Sequence, residues 1–233
     1  MKVTRQQNLT VASILTNMLI AAIALFVNGF GVYLTIHASI GAGPWDVFNL
    51  GLSKTFGILY GTASISVSAS ILIIDVLLRE PIGIAMIIDS LVVGKAVDLF
   101  NYLKLVPVPR TIWGAIAMIL VGLTIMGYTQ FFYMRAALGC GPRDTLLVGL
   151  KKRTKKIPIG VVSIALLAVV TLTGYLLGGP VGIGTILCAF ATGPIMQFAF
   201  RTTHFDPTRI HHQPIRYTLL FFGKAIRDCA KKP

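Results

Sequence analysis

The stretch Gly41-Ala42-Gly43-Pro44-Trp45-Asp46 returns 98 residues later as Gly139-Cys140-Gly141-Pro142-Arg143-Asp144. Both copies obey Gly-x-Gly-Pro-x-Asp. Glycine lets the chain turn sharply, and proline suits the first position of a helix, where its missing N–H does no harm. The aspartate then falls in the first turn, where negative charge favours the helix N-terminus. The spacing predicts short helices over 44–55 and 142–153. Two readings of them stay open. In one, each helix lies in the membrane interface, with Asp46, Asn49 and Ser53 toward headgroups and Phe48, Leu52 and Phe56 in lipid. In the other, each is a re-entrant half-helix whose positive end faces a cavity, as in several transporter folds. The second reading makes Gly41, Gly43, Pro44, Asp46, Gly139, Gly141, Pro142 and Asp144 candidates for a substrate or ion site. The motif copies differ in chemistry at Trp45 against Arg143. An exterior tryptophan suits an interface belt; Arg143 could pair with Asp144 or an inner-leaflet phosphate.

Working outward, the same offset matches Gly29 with Gly127, Ala38 with Ala136, Gly51 with Gly149 and Lys54 with Lys152. One inserted residue then shifts the offset to 99, matching Gly61 with Gly160, Pro81 with Pro180, Gly83 with Gly182 and Gly94 with Gly193. Shared greasiness does not align glycines and prolines; shared backbone does. The chain is therefore read as two copies of one unit, about 11–107 and 108–205.

Of its 233 residues, 55% are hydrophobic and only 12% charged, with a mean hydropathy of +0.79. A soluble domain carries about 25% charged residues. Apolar stretches of about 20 residues, the length that crosses a bilayer, run over 11–36, 58–78, 82–103, 111–134, 158–177 and 181–200. The first exceeds a signal-peptide core and belongs to the repeat, so it is expected to be retained. The fold class expected is an all-α membrane protein: six transmembrane helices, one membrane domain over 1–205, and a tail over 206–233. Three spans per unit make the second copy enter from the opposite face, an inverted 3+3 repeat.

The charges agree. With the N-terminus in the cytoplasm, 17 of the Lys and Arg residues fall inside, and only Lys54, Lys104 and Arg110 outside. This positive-inside bias puts both termini in the cytoplasm of a bacterial cell membrane. It also explains the net charge of +13 through anionic inner-leaflet lipid, with no nucleic acid needed. In the tail, Pro214, Ile215, Leu219, Phe222 and Ile226 are spaced as a short amphipathic helix on the inner surface. Cys140, Cys188 and Cys229 lack zinc-type spacing and read as free thiols. The adjacent His211 and His212 do not make a metal site, and no cofactor is expected.

Charges within spans are costly and point to function. Asp75 lies late in the second stretch; Asp89, Lys95 and Asp98 lie in the third. Lys95 and Asp98 share a helix face and are read as a buried pair. Asp89 is the candidate proton or ion carrier, or else accepts hydrogen bonds from Ser64, Ser66, Ser68 or Ser70. Its counterpart in the second copy is Cys188, so charge chemistry here is one-sided.

The motif copies, with Val47 to Leu52 after the first, Leu150 after the second, and the Gly179-Pro180-Val181-Gly182-Ile183-Gly184-Thr185 run ending at Gly193-Pro194, resemble the YczE/YyaS-type bacterial membrane proteins, related in outline to the YitT family. The resemblance covers nearly all of residues 25–200. It implies a bacterial inner-membrane protein and carries no agreed activity or site residues. The function expected is a small secondary transporter or permease-like protein moving an unknown small solute or ion. The alternative is a non-transporting scaffold or accessory protein acting through its basic cytoplasmic face. An enzyme is not expected, since no Ser–His pair or metal constellation lies in the spans. Self-association as a homo-oligomer is compatible with either.

Overall fold

The computed structural model describes residues 11–139, 141–154 and 156–206. Among these lie eight α-helices and no strand: α1 (Val11–His37), α2 (Pro44–Phe56), α3 (Tyr60–Leu77), α4 (Ile84–Leu103), α5 (Ile112–Arg135), α6 (Pro142–Arg153), α7 (Ile159–Leu176) and α8 (Ile183–Thr202). Helices α1, α3, α5, α7 and α8 are long and apolar enough to cross a membrane. The sixth apolar stretch is also one helix, α4, of 20 residues; its three charges, Asp89, Lys95 and Asp98, set it apart. The tail helix expected from Pro214 onward lies outside the described residues, as do Cys140, Cys229, His211 and His212.

The outer surface is apolar. Leu19 and Ile23 of α1, Ile164 and Leu172 of α7, and Phe190 and Phe198 of α8 are all more than half exposed. Water would penalise so broad an apolar surface on a monomer; hydrocarbon does not. With lipid as solvent, helix association rests on close packing and interhelical hydrogen bonds, and glycines supply many of the close approaches.

Helices α1 and α5 pack antiparallel along their length. From the start to the middle of α1, Ile14, Ala21 and Leu25 cluster with Tyr133, late in α5, and Ala136, just beyond it. Midway, Asn28 donates to Thr129 at 2.9 Å. Gly31 and Gly122 then lie backbone to backbone: a Cβ on Gly31 would stand 2.8 Å from the Gly122 carbonyl, and one on Gly122 would stand 2.7 Å from the Gly31 carbonyl. Ala38, at the end of α1, packs on Ala115 and Ile119, early in α5.

Several of the remaining contacts come in reciprocal pairs, but that between Gly61 and Gly94 does not: a Cβ on their matches Gly160 and Gly193 would meet nothing within 4 Å. A Cβ on Gly41 would stand 2.7 Å from the Gly182 nitrogen, and one on its match Gly139 would stand 2.7 Å from the Gly83 Cα. Gly184 N–H donates to the Ile40 carbonyl at 2.8 Å; Ala85 N–H donates to the Leu138 carbonyl at 3.2 Å. Gly51 of α2 abuts Leu177 beyond α7, and Gly149 of α6 abuts Leu78 beyond α3. Each motif is thus held by the other half of the chain. Gly41 and Gly139 adopt φ of +111° and +128°, a region open in practice only to glycine.

Candidate functional site

Both short helices begin as their residues dictate. Gly43 and Gly141 occupy the N-caps, with proline in the first turn of each helix. Asp46, Val47 and Asn49 of α2 and Pro142, Thr145 and Leu146 of α6 are buried, so these first turns lie inside the bundle. The two N-termini meet: the Arg143 guanidinium carbon stands 5.1 Å from the centre of the Trp45 ring, within cation–π range. The exterior belt expected for Trp45 is thereby corrected. Its side chain turns inward because the start of α6 sits against it, and Arg143 takes the tryptophan face rather than a lipid phosphate.

Around this contact lies a cavity of about 310 Å³, with Asp46, Asp89, Asp144 and Arg143 in its wall. Asp46 is 7% exposed and accepts a 2.7 Å hydrogen bond from the Tyr60 hydroxyl, which Asn49 meets in turn at 3.4 Å. Asp89, half-buried on α4, and Asp144, open to the cavity, converge on the start of α6. Their Oδ2 atoms lie 3.4 and 3.6 Å from where a Gly141 Cβ would stand. Both carboxylates thus lie at ordinary contact distance from the start of α6. Arg143 shares the cavity wall with all three aspartates without an ion pair to any of them. With all groups ionised the wall is net negative.

Ser64 and Ser68, each 4% exposed, also line this space. Ser66 and Ser70 spend their hydroxyls on carbonyls one turn back. None of the four bonds Asp89, contrary to one expectation for that residue.

A smaller cavity of about 170 Å³ adjoins the first. The two share Trp45, Asp46, Leu123, Met126, Arg143 and Thr192, so the Trp45–Arg143 stack stands between them. Gly43, Pro44, Thr35 and Cys188 face this second space. By the repeat, Thr35 matches Tyr133 and Cys188 matches Asp89. The larger cavity thus has the more polar residue at each of these matched positions.

Of the motif residues, Asp46, Gly141 and Asp144 line the larger cavity and Gly43 and Pro44 the smaller. Gly41, Gly139 and Pro142 line neither; the two glycines seat the motifs against Gly182 and Gly83. Asp89, from a separate helix, joins the motif aspartates. The expected Lys95–Asp98 pair does not form. Asp98 accepts the Gly61 N–H at the start of α3, at 2.8 Å, and Lys95 is exposed. An unpaired N–H in a helix's first turn is a standing donor, and it takes the carboxylate. Asp75 is fully buried with neither oxygen partnered, and it is outside both cavity walls. Sequence reasoning missed Tyr60 and the inward roles of Trp45 and Arg143. The last two were signalled only by their mismatch between otherwise matched motifs.

The model of a family of unknown function, DUF6198, matches residues 15–201. The uncharacterized membrane protein YczE of Bacillus subtilis is 32% identical over 177 residues, covering 75% of this chain and 81% of that protein. An uncharacterized protein of Haemophilus influenzae is 31% identical, covering 75% and 79% respectively. The uncharacterized protein YyaS of Bacillus subtilis is 25% identical over 75% of this chain and 88% of its own length. No solved structure matches the chain. With helices suited to a bilayer and relatives that span most of its length, the chain is a multi-pass membrane protein of the YczE/YyaS type and belongs to the family of unknown function DUF6198.

Proposed function

We propose that the protein is a small secondary transporter, built as an inverted 3+3 repeat of six spans, with its site in the cavity where α2 and α6 meet. The observation that carries this reading is the cavity's composition. Its wall takes Trp45 and Asp46 from one short helix and Gly141, Arg143 and Asp144 from the other. A site assembled from both halves changes shape whenever one half rocks against the other, which is what alternating access needs. The antiparallel α1–α5 pairing and the reciprocal glycine contacts support the inversion. Six spans count α4, whose Asp89 faces the cavity and whose Asp98 caps α3, so two of its charges are sheltered from lipid. The charge bias of the loops supports cytoplasmic termini in a bacterial cell membrane and a basic inner face that attracts anionic lipid. Chemistry on a covalent bond forms no part of the reading.

Thiol accessibility tests it. Cys140, Cys188 and Cys229 are replaced by serine, and Ser68→Cys or Gln130→Cys is introduced into the cavity wall. The expected result is slow labelling by a small, membrane-impermeant thiol reagent from either face, with bulky reagents excluded. A thiol unreactive from both faces, or one reached from a single face in every condition, refutes the transport reading and favours a non-transporting scaffold.

A further inference from the structure

We infer that the larger cavity binds a solute through an ammonium group, held between Asp89 and Asp144. This rests on the transport reading only for its purpose; the binding itself stands on the wall chemistry. Asp46 is engaged by Tyr60 at 2.7 Å. Arg143 is stacked on Trp45 at 5.1 Å. What is left unsatisfied is acceptor capacity. Asp89 and Asp144 come from different helices, and their Oδ2 atoms both lie beside Gly141, 3.4 and 3.6 Å from where its Cβ would stand. Neither makes a hydrogen bond or ion pair to another described residue.

The second observation is independent of the carboxylates. Ser64 and Ser68 lie on α3, are each 4% exposed, and line the same cavity with no hydrogen-bond partner among the described residues. Buried hydroxyls ordinarily find partners within the protein; these face open space. An ammonium group has three donors and no acceptor, which suits carboxylates and hydroxyl lone pairs on facing helices. A free carboxylate or phosphate would find one guanidinium, already stacked, against three acidic side chains. The ammonium could belong to a simple amine or to a zwitterion whose carboxylate reaches Arg143, and the two are separable by experiment.

The chain has two tryptophans. Trp45 lines the cavity, and Trp113 is 76% exposed at the start of α5. The variant Trp113→Phe therefore makes Trp45 the sole indole reporter of cavity occupancy. Purified Trp113→Phe protein in detergent is titrated with ethylammonium, glycine, acetate, inorganic phosphate and sodium ions. The expected result is a saturable change in Trp45 emission with ethylammonium, glycine or both, and none with acetate or phosphate. Response to glycine alone assigns a zwitterion; response to both assigns the amine. Asp89→Asn and, separately, Asp144→Asn should each weaken binding about 10-fold, the loss expected for one charge-assisted hydrogen bond. Elution as a single species in size-exclusion chromatography shows that each variant folds, and either one suffices.

A response to acetate, phosphate or sodium with none to the amines overturns the inference, as does an amine response unchanged in both variants. Because emission reads binding without transport, the two readings fail separately. Amine binding with no thiol access or uptake in vesicles leaves the site and removes the transporter; uptake of a carboxylate without amine binding does the reverse.

Discussion

Substituting Gly139→Ala probes the seat of the second motif, and its cost can be worked from the geometry. The residue has φ of +128°, beyond the left-handed helical well. Holding a side-chain-bearing residue in such a region costs about 1–3 kcal/mol. The new Cβ would also stand 2.7 Å from the Gly83 Cα. A backbone atom cannot rotate away as a side chain can, so the halves must separate locally, at about 1–3 kcal/mol for overpacking. Together the destabilisation is about 2–6 kcal/mol, a fall in melting temperature of roughly 5–20 °C for a chain of this size.

Two controls isolate the causes. Gly57 has φ of +64° with nothing within 4 Å of where an added Cβ would stand, so Gly57→Ala should lose only the backbone part, about 1 kcal/mol. Gly160 has ordinary backbone and equally open space; Gly160→Ala should be neutral or gain up to about 1 kcal/mol in α7. Gly41→Ala, at the matched position, should cost about as much as Gly139→Ala. The assay is thermal unfolding in detergent, followed by intrinsic fluorescence. If Gly139→Ala melts within about 2 °C of the unaltered protein, or no lower than Gly57→Ala, the reciprocal packing is not what seats the motifs.

Three further outcomes are measurable in the same assay. Lys152 meets Glu80 at 2.5 Å, the lysine 59% and the glutamate 4% exposed; Lys152→Met leaves a sheltered carboxylate alone and should cost about 1–3 kcal/mol, most of it recovered by adding Glu80→Gln. A double-mutant cycle of Asn28→Ala with Thr129→Ala should give a coupling of about 0.6 kcal/mol, the usual scale for hydrogen bonds between transmembrane helices; zero coupling would remove that link between α1 and α5. Lys95→Met should stay within about 0.5 kcal/mol of the parent, whereas Asp98→Ala should lose about 1–2 kcal/mol by stranding the Gly61 N–H; a large cost at Lys95 would restore the ion pair that the geometry denies.

The backbone was far more legible in the sequence than the cavity. Glycine and proline identities record backbone requirements directly, so the matches of Gly41 with Gly139 and Gly83 with Gly182 foretold positions that prove to touch across the halves. Proline and the following aspartate placed α6 over 142–153, and the start of α2 at Pro44, as observed. Side-chain destinations carry no such record. Trp45 reads as an interface residue from composition because nothing local reveals that α6 starts against it. Lys95 and Asp98 have pairing distance in sequence, but the competing donor, Gly61, lies 37 residues away. The four serines of α3 look alike in the sequence. Only packing decides that Ser66 and Ser70 turn back on their own helix while Ser64 and Ser68 face open space.

The two halves agree where the motifs are seated, at Gly41–Gly182 and Gly83–Gly139, and differ where side chains meet the cavities. Trp45 stands for Arg143, Thr35 for Tyr133, Cys188 for Asp89 and Leu167 for Ser68; the first member of each pair after Trp45 faces the smaller, less polar space. The closing contacts differ in the same way. Lys152 has Glu80, but its match Lys54 lies beside Gly178, with no ion pair among the described residues, because Gly179 occupies the place of Glu80. If the halves exchange conformations in alternating access, the two end states are therefore unequal in energy. The state holding α6 to the α3–α4 connection keeps an ion pair that its mirror image cannot form. Glu80→Gln should then shift the resting population toward opening at the α6 end, read as faster labelling of Ser68→Cys from that face. Labelling rates unchanged from both faces would show that the ion pair fastens the bundle without biasing access.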